Sequence, residues 1–200
     1  YDEVMDQQRK RVYGFRQSLL EGASCREEIR KMLRVRIEDA LKTLLDSHYG
    51  TSSACQWALQ QYGIQVEERD LRSLNRDEAE MRLIDIAERQ AEDLIREQIE
   101  QDLPREEEER EWNWQSLSRW ANARWGLNTN DRELKKEGRD HVDEYLVHRA
   151  HEAIKRADFA PLDLFLAPDC GRKALCSWLA EQFTLHMQPA DFENLSIQEA

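Results

Sequence analysis

Turn-forming residues are scarce in this chain: seven glycines and four prolines stand among 200 residues. So few leave little room for the closely spaced turns of a β-rich fold. Long apolar runs are missing too, and none approaches the roughly 20 residues of a membrane span. The chain opens on Tyr1, already inside a helical pattern, without the basic region, apolar stretch and small-residue cleavage site of a secretory leader. It reads as a piece excised from a larger protein. The four cysteines, Cys25, Cys55, Cys170 and Cys176, include no Cys-x-x-Cys pair and no zinc-ribbon spacing. They read as reduced thiols packed as small apolar residues, in keeping with a cytosolic compartment.

Catalytic signatures are absent as well. There is no Gly-Lys-Ser or Gly-Lys-Thr for a phosphate-binding loop, no G-x-G-x-x-G, no G-x-S-x-G and no H-E-x-x-H. No Glu lies three residues before a His, so the helical di-iron pair is missing. One titratable cluster remains: His141, His148 and His151, with Glu144 and Glu152 nearby. On a helix the three imidazoles could share a face and take a divalent metal. The segment His148-Arg149-Ala150-His151-Glu152 is similar to the inverted zinc motif, with its last two residues exchanged. Without supporting groups behind them, however, these read as surface histidines. The sequence therefore assigns no catalytic, cofactor-binding or metal-binding residue.

What is present suits a helical protein. Apolar residues make up 40% and charged ones 35%, the balance of a modest core under a heavily solvated surface. The net charge of −12 is unevenly spread. Residues 1–36 carry nine basic against six acidic side chains, whereas residues 67–111 carry eight against eighteen. That acidity repels phosphates and argues against nucleic acid as a partner. It reads as a solvated helix face, and does not exclude a partner protein.

Apolar periodicity lays out the helices. Val4, Met5, Val12, Phe15 and Leu19 form a stripe over residues 2–21, interrupted at Gly22. Either the helix bends there, or Ser24 and Glu27 start a new one as a capping box. Ile29, Leu33, Ile37, Ala40, Leu41, Leu44 and Leu45 continue the pattern to an end near His48 and Gly50. Thr51-Ser52-Ser53 can cap a short helix through Tyr62, closed by Gly63 as a left-handed residue. Residues 64–74 read as a connector. Asn75 and Glu78 start a long helix over about 77–103, with Met81, Ile84, Ala87, Ala91, Leu94, Ile95 and Ile99 inward and Pro104 as its stop. Glu78/Arg82, Asp85/Arg89 and Glu92/Arg96 are spaced as ion pairs on its outer face.

After the acidic run Glu106–Glu109 come Trp112, Trp114, Trp120 and Trp125, closed by Gly126. A turn at Asn128–Asn130 precedes helices over about 131–136 and 140–157. The second of these buries Val142, Tyr145, Leu146, Ala150, Ala153 and Ile154. Pro161 and Pro168 bracket a short apolar piece. A last helix spans about 171–187, with Leu175, Leu179 and Gln182 on one face and Trp178 beside it, and Pro189 ends it. The tryptophans admit two readings, filler for a small core or an interaction surface. Trp120 and Trp125 are expected to be buried. Trp112, against the acidic run, is expected to be the most exposed, and Trp112 with Trp114 forms a candidate partner surface.

The opening residues carry a family signature. Tyr1, Asp2, Val4, Gln8, Arg9, Val12, Tyr13 and Arg16 fall in register with a pattern that reads Tyr-Asp-Asp-Val, three variable positions, Gln-Arg, two more, a β-branched residue, Tyr, two more, Arg. Leu19 and Leu20 continue the match, while Glu3 replaces the second Asp and Gly14 is a poor helix residue within it. This resembles SecA, the ATP-driven motor of bacterial preprotein export. A weaker likeness to the family's wing domain runs through Trp112-Asn113, Leu117, Trp120 and Gly126-Leu127-Asn128.

The resemblance implies an all-α fold, a long scaffold helix followed by an irregular multi-helix wing domain. Residues 1–46 are then the end of the scaffold helix and its continuation. Residues 47–105 are wing helices with an insertion, and 106–200 the rest of the wing and the returning helices. The eight signature residues become inter-domain contacts. The nucleotide motifs and two-helix finger of the family are not found here, so ATP and magnesium belong to the parent and not to this segment. The implied role is mechanical, passing nucleotide-dependent movement between domains. The implied partners are the other domains of the motor, the SecYEG channel and preproteins, at the cytoplasmic face of the inner membrane. The stripped first helix can also pair with a second copy. The alternative reading is a stand-alone helical interaction module unrelated to export.

Overall fold

Ten α-helices and one 3₁₀ turn, with no strand, form the regular structure of the described residues, 2–20, 25–106 and 108–192 of a computed structural model. The all-α expectation holds. The helices are α1 (Asp2–Leu20), α2 (Cys25–Leu44), α3 (Tyr49–Tyr62), α4 (Glu68–Leu71), α5 (Arg76–Asp102), α6 (Trp114–Trp125), α7 (Asp131–Glu137), α8 (Val142–Lys155), α9 (Leu162–Phe165) and α10 (Cys170–Phe183). The 3₁₀ turn is Pro189–Phe192. Gly22 and the Ser24 cap lie outside the described residues.

The chain divides into two compact units, Gly50–Cys170 on one hand and Tyr1–Tyr49 with Gly171–Ala200 on the other. The first is built around α5. Asn75 starts this helix with a reciprocal capping box: its side chain accepts from Glu78 N and its own N–H donates to Glu78, each at 3.0 Å. Ala79, Leu83, Ala87, Ala91, Ile95 and Ile99, each four residues from the last, are buried along one ridge. The ridge of α8 that faces the core, Val142, Leu146, Ala150 and Ile154, has the same spacing. Alanines at 87, 91 and 150 let such ridges approach closely, which makes α5 and α8 the main packed pair of the unit.

This register corrects the expected face of α5. Met81 is 63% exposed, and Leu83 is fully buried in its place. The buried ridge follows a strict four-residue step that the broader hydrophobic pattern does not single out. Arg82 also departs from the expected pairing with Glu78. Glu78 is engaged in the cap, and Arg82 bonds Asp70 and Asp85 instead. The pairs Asp85–Arg89 and Glu92–Arg96 form as expected, at 3.0 and 3.3 Å.

Other boundaries shift for local reasons. The Asp46 carboxylate accepts from His48 N at 2.7 Å, turning the chain there. Thus α2 stops at Leu44, and α3 starts at Tyr49 without waiting for Thr51. Gly50 therefore sits inside the first turn of α3, where a Cβ would collide with the Phe165 carbonyl. The connector 64–74 holds α4, anchored by the buried Leu71. Gly63 and Gly126 close their helices with φ of 64° and 65°, as expected.

The second unit has a smaller core of Leu41, Leu175, Leu179 and Phe192. Gln182 stays exposed and accepts from Arg36 at 2.9 Å. Here α10 ends at Phe183, four residues short of the expected end. Thr184 takes a left-handed φ of 57°, and its N–H donates to Ala180 O at 3.0 Å.

Candidate interaction surfaces

The signature residues lie on α1, whose described side chains are all exposed. Val4 and Val12 are each 58% exposed and Tyr13 is 61% exposed. The spacing sorts the described motif residues, together with Met5, into two neighbouring rows, Val4-Gln8-Val12-Arg16 and Met5-Arg9-Tyr13, in which each residue is four from the next. Between them Met5, Gln8, Arg9, Val12, Tyr13 and Arg16 line a shallow depression of about 290 Å³. Five described residues of the family pattern, Gln8, Arg9, Val12, Tyr13 and Arg16, thus share one face of α1. Tyr1 and the side chain of Asp2 lie outside the described residues. The basic Lys10 is tied back to Asp6 at 2.7 Å. Exposure continues into α2 as far as Val35: Ile29, Met32 and Val35 are 47%, 64% and 58% exposed. The expected apolar stripe of α2 is covered only toward its end, at Leu41.

The tryptophans distribute differently from expectation. Trp114 is buried, whereas Trp120 and Trp125 are half-buried and meet edge to face at 5.1 Å. Trp112 is half-buried rather than exposed, because its indole donates to Pro104 O at 2.9 Å and its ring meets Trp114 edge to face. Both rings line a depression of about 900 Å³ together with Arg105, Lys135, Arg139 and Asp140. Its cations are largely engaged: Arg139 donates to Leu103 O at 2.8 Å and pairs with Glu100, and Arg105 faces Asp140 at 3.6 Å. Sequence reasoning overlooked Trp57, which packs with Tyr62, Phe159 and Phe165 in an aromatic cluster.

The three histidines do not converge. His141 precedes α8 and is exposed, as is His148, while His151 turns toward Glu88 and Glu92 of α5 at 3.8 and 3.5 Å. Among the described residues no group of three or more His, Cys, Asp or Glu is placed to hold a metal ion. Nor is any described helix long and apolar enough to cross a membrane. At the α4–α5 junction the hydrogen bond from Arg82 holds the Asp70 carboxyl below its ordinary range.

Comparison with known proteins bears on the α1 face directly. Residues 1–90 match the SecA Wing and Scaffold domain family. The chain is 36% identical over 195 residues to protein translocase subunit SecA 1 of Rhodopirellula baltica, a match that covers 98% of this chain. It spans only 16% of the length of that relative. No solved structure matches the chain.

Proposed function

Given that this chain belongs to the SecA family through its wing and scaffold domain at residues 1–90, we propose that it is a non-catalytic scaffold and wing segment of an ATP-driven protein-export motor. Its work is to pass nucleotide-dependent movement between domains during preprotein translocation. ATP and magnesium are bound by other parts of the parent. In this reading residues 1–46 are the end of the scaffold helix and its continuation, and 47–105 and 106–200 are successive parts of the wing. Partners are the remaining motor domains and, through them, the SecYEG channel and preproteins at the cytoplasmic side of the inner membrane.

The observation that carries this reading is the α1 face. Gln8, Arg9, Val12, Tyr13 and Arg16 line one exposed, partly apolar face of this helix. An exposed apolar patch with arginines beside it supports contact with a neighbouring domain. In the absence of that neighbour the same face offers a contact for a second copy.

The test is binding of the chain to the remainder of its parent motor, with ATPase rate as readout. Docking that alters the rate, and that weakens at least tenfold in the Arg9→Glu/Tyr13→Ala double variant, supports the proposal. Absence of binding and of any rate change sinks it.

A further inference from the structure

A second site lies in the unit Gly50–Cys170, on elements that the α1 argument does not use. The end of α3, the middle of α5, the last turn of α6 and the last turns of α8 border an open depression of about 490 Å³. Its size is within the range of small-ligand pockets. Five alanines line it, Ala87, Ala91, Ala123, Ala153 and Ala157, together with the glutamines Gln60, Gln61 and Gln90. Leu94, Ile154, Phe159 and Trp125 supply apolar walls. Tyr62 closes one side with its hydroxyl donated to Asp158 O at 2.7 Å, so that its polar end is already satisfied.

The electrostatics of the lining are unlike those of the surrounding surface. Residues 67–111 are strongly acidic, yet no Asp, Glu, Lys or His lines this depression, and its single formal charge is Arg124. The guanidinium of Arg124 donates through Nη2 to Gly63 O at 3.0 Å. No carboxylate lies within ion-pair distance of it among the described residues. Gly63 makes that position available. A Cβ there would run into the guanidinium, and the φ of 64° suits glycine. Arg124 is therefore held at the rim by one arm, with further N–H donors left to the solvent. The adjoining shallower depression, which shares Arg124, adds Trp120 and Asp93, and Asp93 is drawn toward Arg96 at 3.5 Å.

We propose that this depression is a docking site for a peptide segment of a partner protein that presents an apolar side chain next to a carboxylate. The apolar group fills the alanine-floored hollow against Trp125, and the carboxylate pairs with Arg124. Charge complementarity selects this occupant: Arg124 is exposed at the rim and has no ion-pair partner among the described residues, so an acidic segment adds a charge-assisted pair that a basic or neutral one does not. The inference is independent of the α1 surface.

The test uses the whole 200-residue chain and two blocked tripeptides, acetyl-Phe-Asp-Leu-amide and acetyl-Phe-Asn-Leu-amide, followed by the NMR shifts of the Trp125 indole N–H and Arg124 side chain. The acidic peptide is expected to shift both signals and to bind about tenfold more tightly than its amide counterpart, the worth of one charge-assisted pair. Arg124→Gln should erase the difference between the two peptides. Ala157→Leu, at a half-buried position in the lining, should remove binding of both while the thermal melt is preserved. Equal affinities in the unsubstituted chain, shifts confined to other residues, or no shift at millimolar peptide overturns the proposal. Binding of decanoate without binding of the acidic peptide also overturns it, since the site then serves an amphiphile.

Discussion

Asp70, in the single turn of α4, accepts a hydrogen bond of 2.7 Å from Arg82 Nη2 of α5, and this pair ties the chain entering α5 back onto that helix. Leu71 beside it is buried, so the ion pair and an apolar anchor fix the same short turn. The pair determines how stability responds to acid. The folded-state pKa of Asp70 is depressed, with the Arg82 hydrogen bond as the first cause. A depressed carboxylate adds stability above its unfolded pKa of about 3.9 and loses it as pH falls through the lower folded value. Asp70→Asn is therefore expected to melt at lower urea than the parent chain near neutrality, with the gap closing below about pH 4. Solvent access keeps the effect small. Urea titrations of both proteins across this range check it, and a gap that stays constant down to pH 2.5 rules out the pair as its source.

The register of α5 gives a sharper contrast. Leu83 is fully buried and Met81 is 63% exposed, although they are two residues apart on the same helix. Leu83→Ala should cost about 2–5 kcal/mol through lost burial and the cavity left behind. Met81→Ala should stay within about 0.5 kcal/mol. Chemical denaturation of the two variants decides the matter. Comparable losses would mean that the ridge meeting α8 is misassigned.

Much of the fold was legible because it is local. The box at Asn75 and Glu78, the closing glycines at 63 and 126 and the burial of Val142, Leu146, Ala150 and Ile154 in α8 all follow from neighbours in sequence, although Tyr145 and Ala153 of the same expected set are only half-buried. What failed depended on residues far apart. The burial order of the tryptophans follows from packing and from the Pro104 carbonyl that captures Trp112. Arg82 chose Asp70, twelve residues away, over Glu78 because the cap had already claimed Glu78. The α1 face was legible as a motif, but its arrangement as two rows around a shallow depression needed the helix itself. The alanine-lined depression left no sequence signal, since alanines at 87, 91, 123, 153 and 157 come from three helices and the chain just beyond α8. The likeness to SecA 1 also runs over 195 residues, well beyond the opening motif and the Trp112 stretch.

Thr184 ends α10 where a glycine would be at ease. Its φ of 57° is uncommon for a β-branched residue, while Gly63 does the same work at the end of α3 without a side chain. Both residues donate their N–H to a carbonyl four residues back, Thr184 to Ala180 and Gly63 to Leu59. Thr184 is exposed, so removing its side chain gives up little packing. Thr184→Gly is expected to stabilise the unit that contains α10 by about 1 kcal/mol through relief of left-handed strain. Thermal melting monitored at Trp178, in the same unit, checks this; a lower midpoint would show that the side chain contributes more than the strain costs.

The α1 face makes a prediction that separates surface from core. Val4 and Val12 stand in the same row and are each more than half exposed, so replacing both by serine should change stability by no more than about 0.5 kcal/mol per site. Their contribution is to association. An isolated chain with Val4, Met5, Val12 and Tyr13 on the surface of α1 has an apolar patch without a cover, and a second copy offers an equivalent patch. Sedimentation equilibrium should show an average mass that rises with concentration, and the Val4→Ser/Val12→Ser variant should return toward the monomer while its melt is unchanged. A parent chain that stays monomeric at every concentration removes the second copy as an occupant. Docking to the remaining domains of the proposed parent motor then stands or falls on the ATPase experiment alone. If instead the double variant loses both self-association and docking, one face serves both, and the second copy marks the place where the neighbouring domain sits.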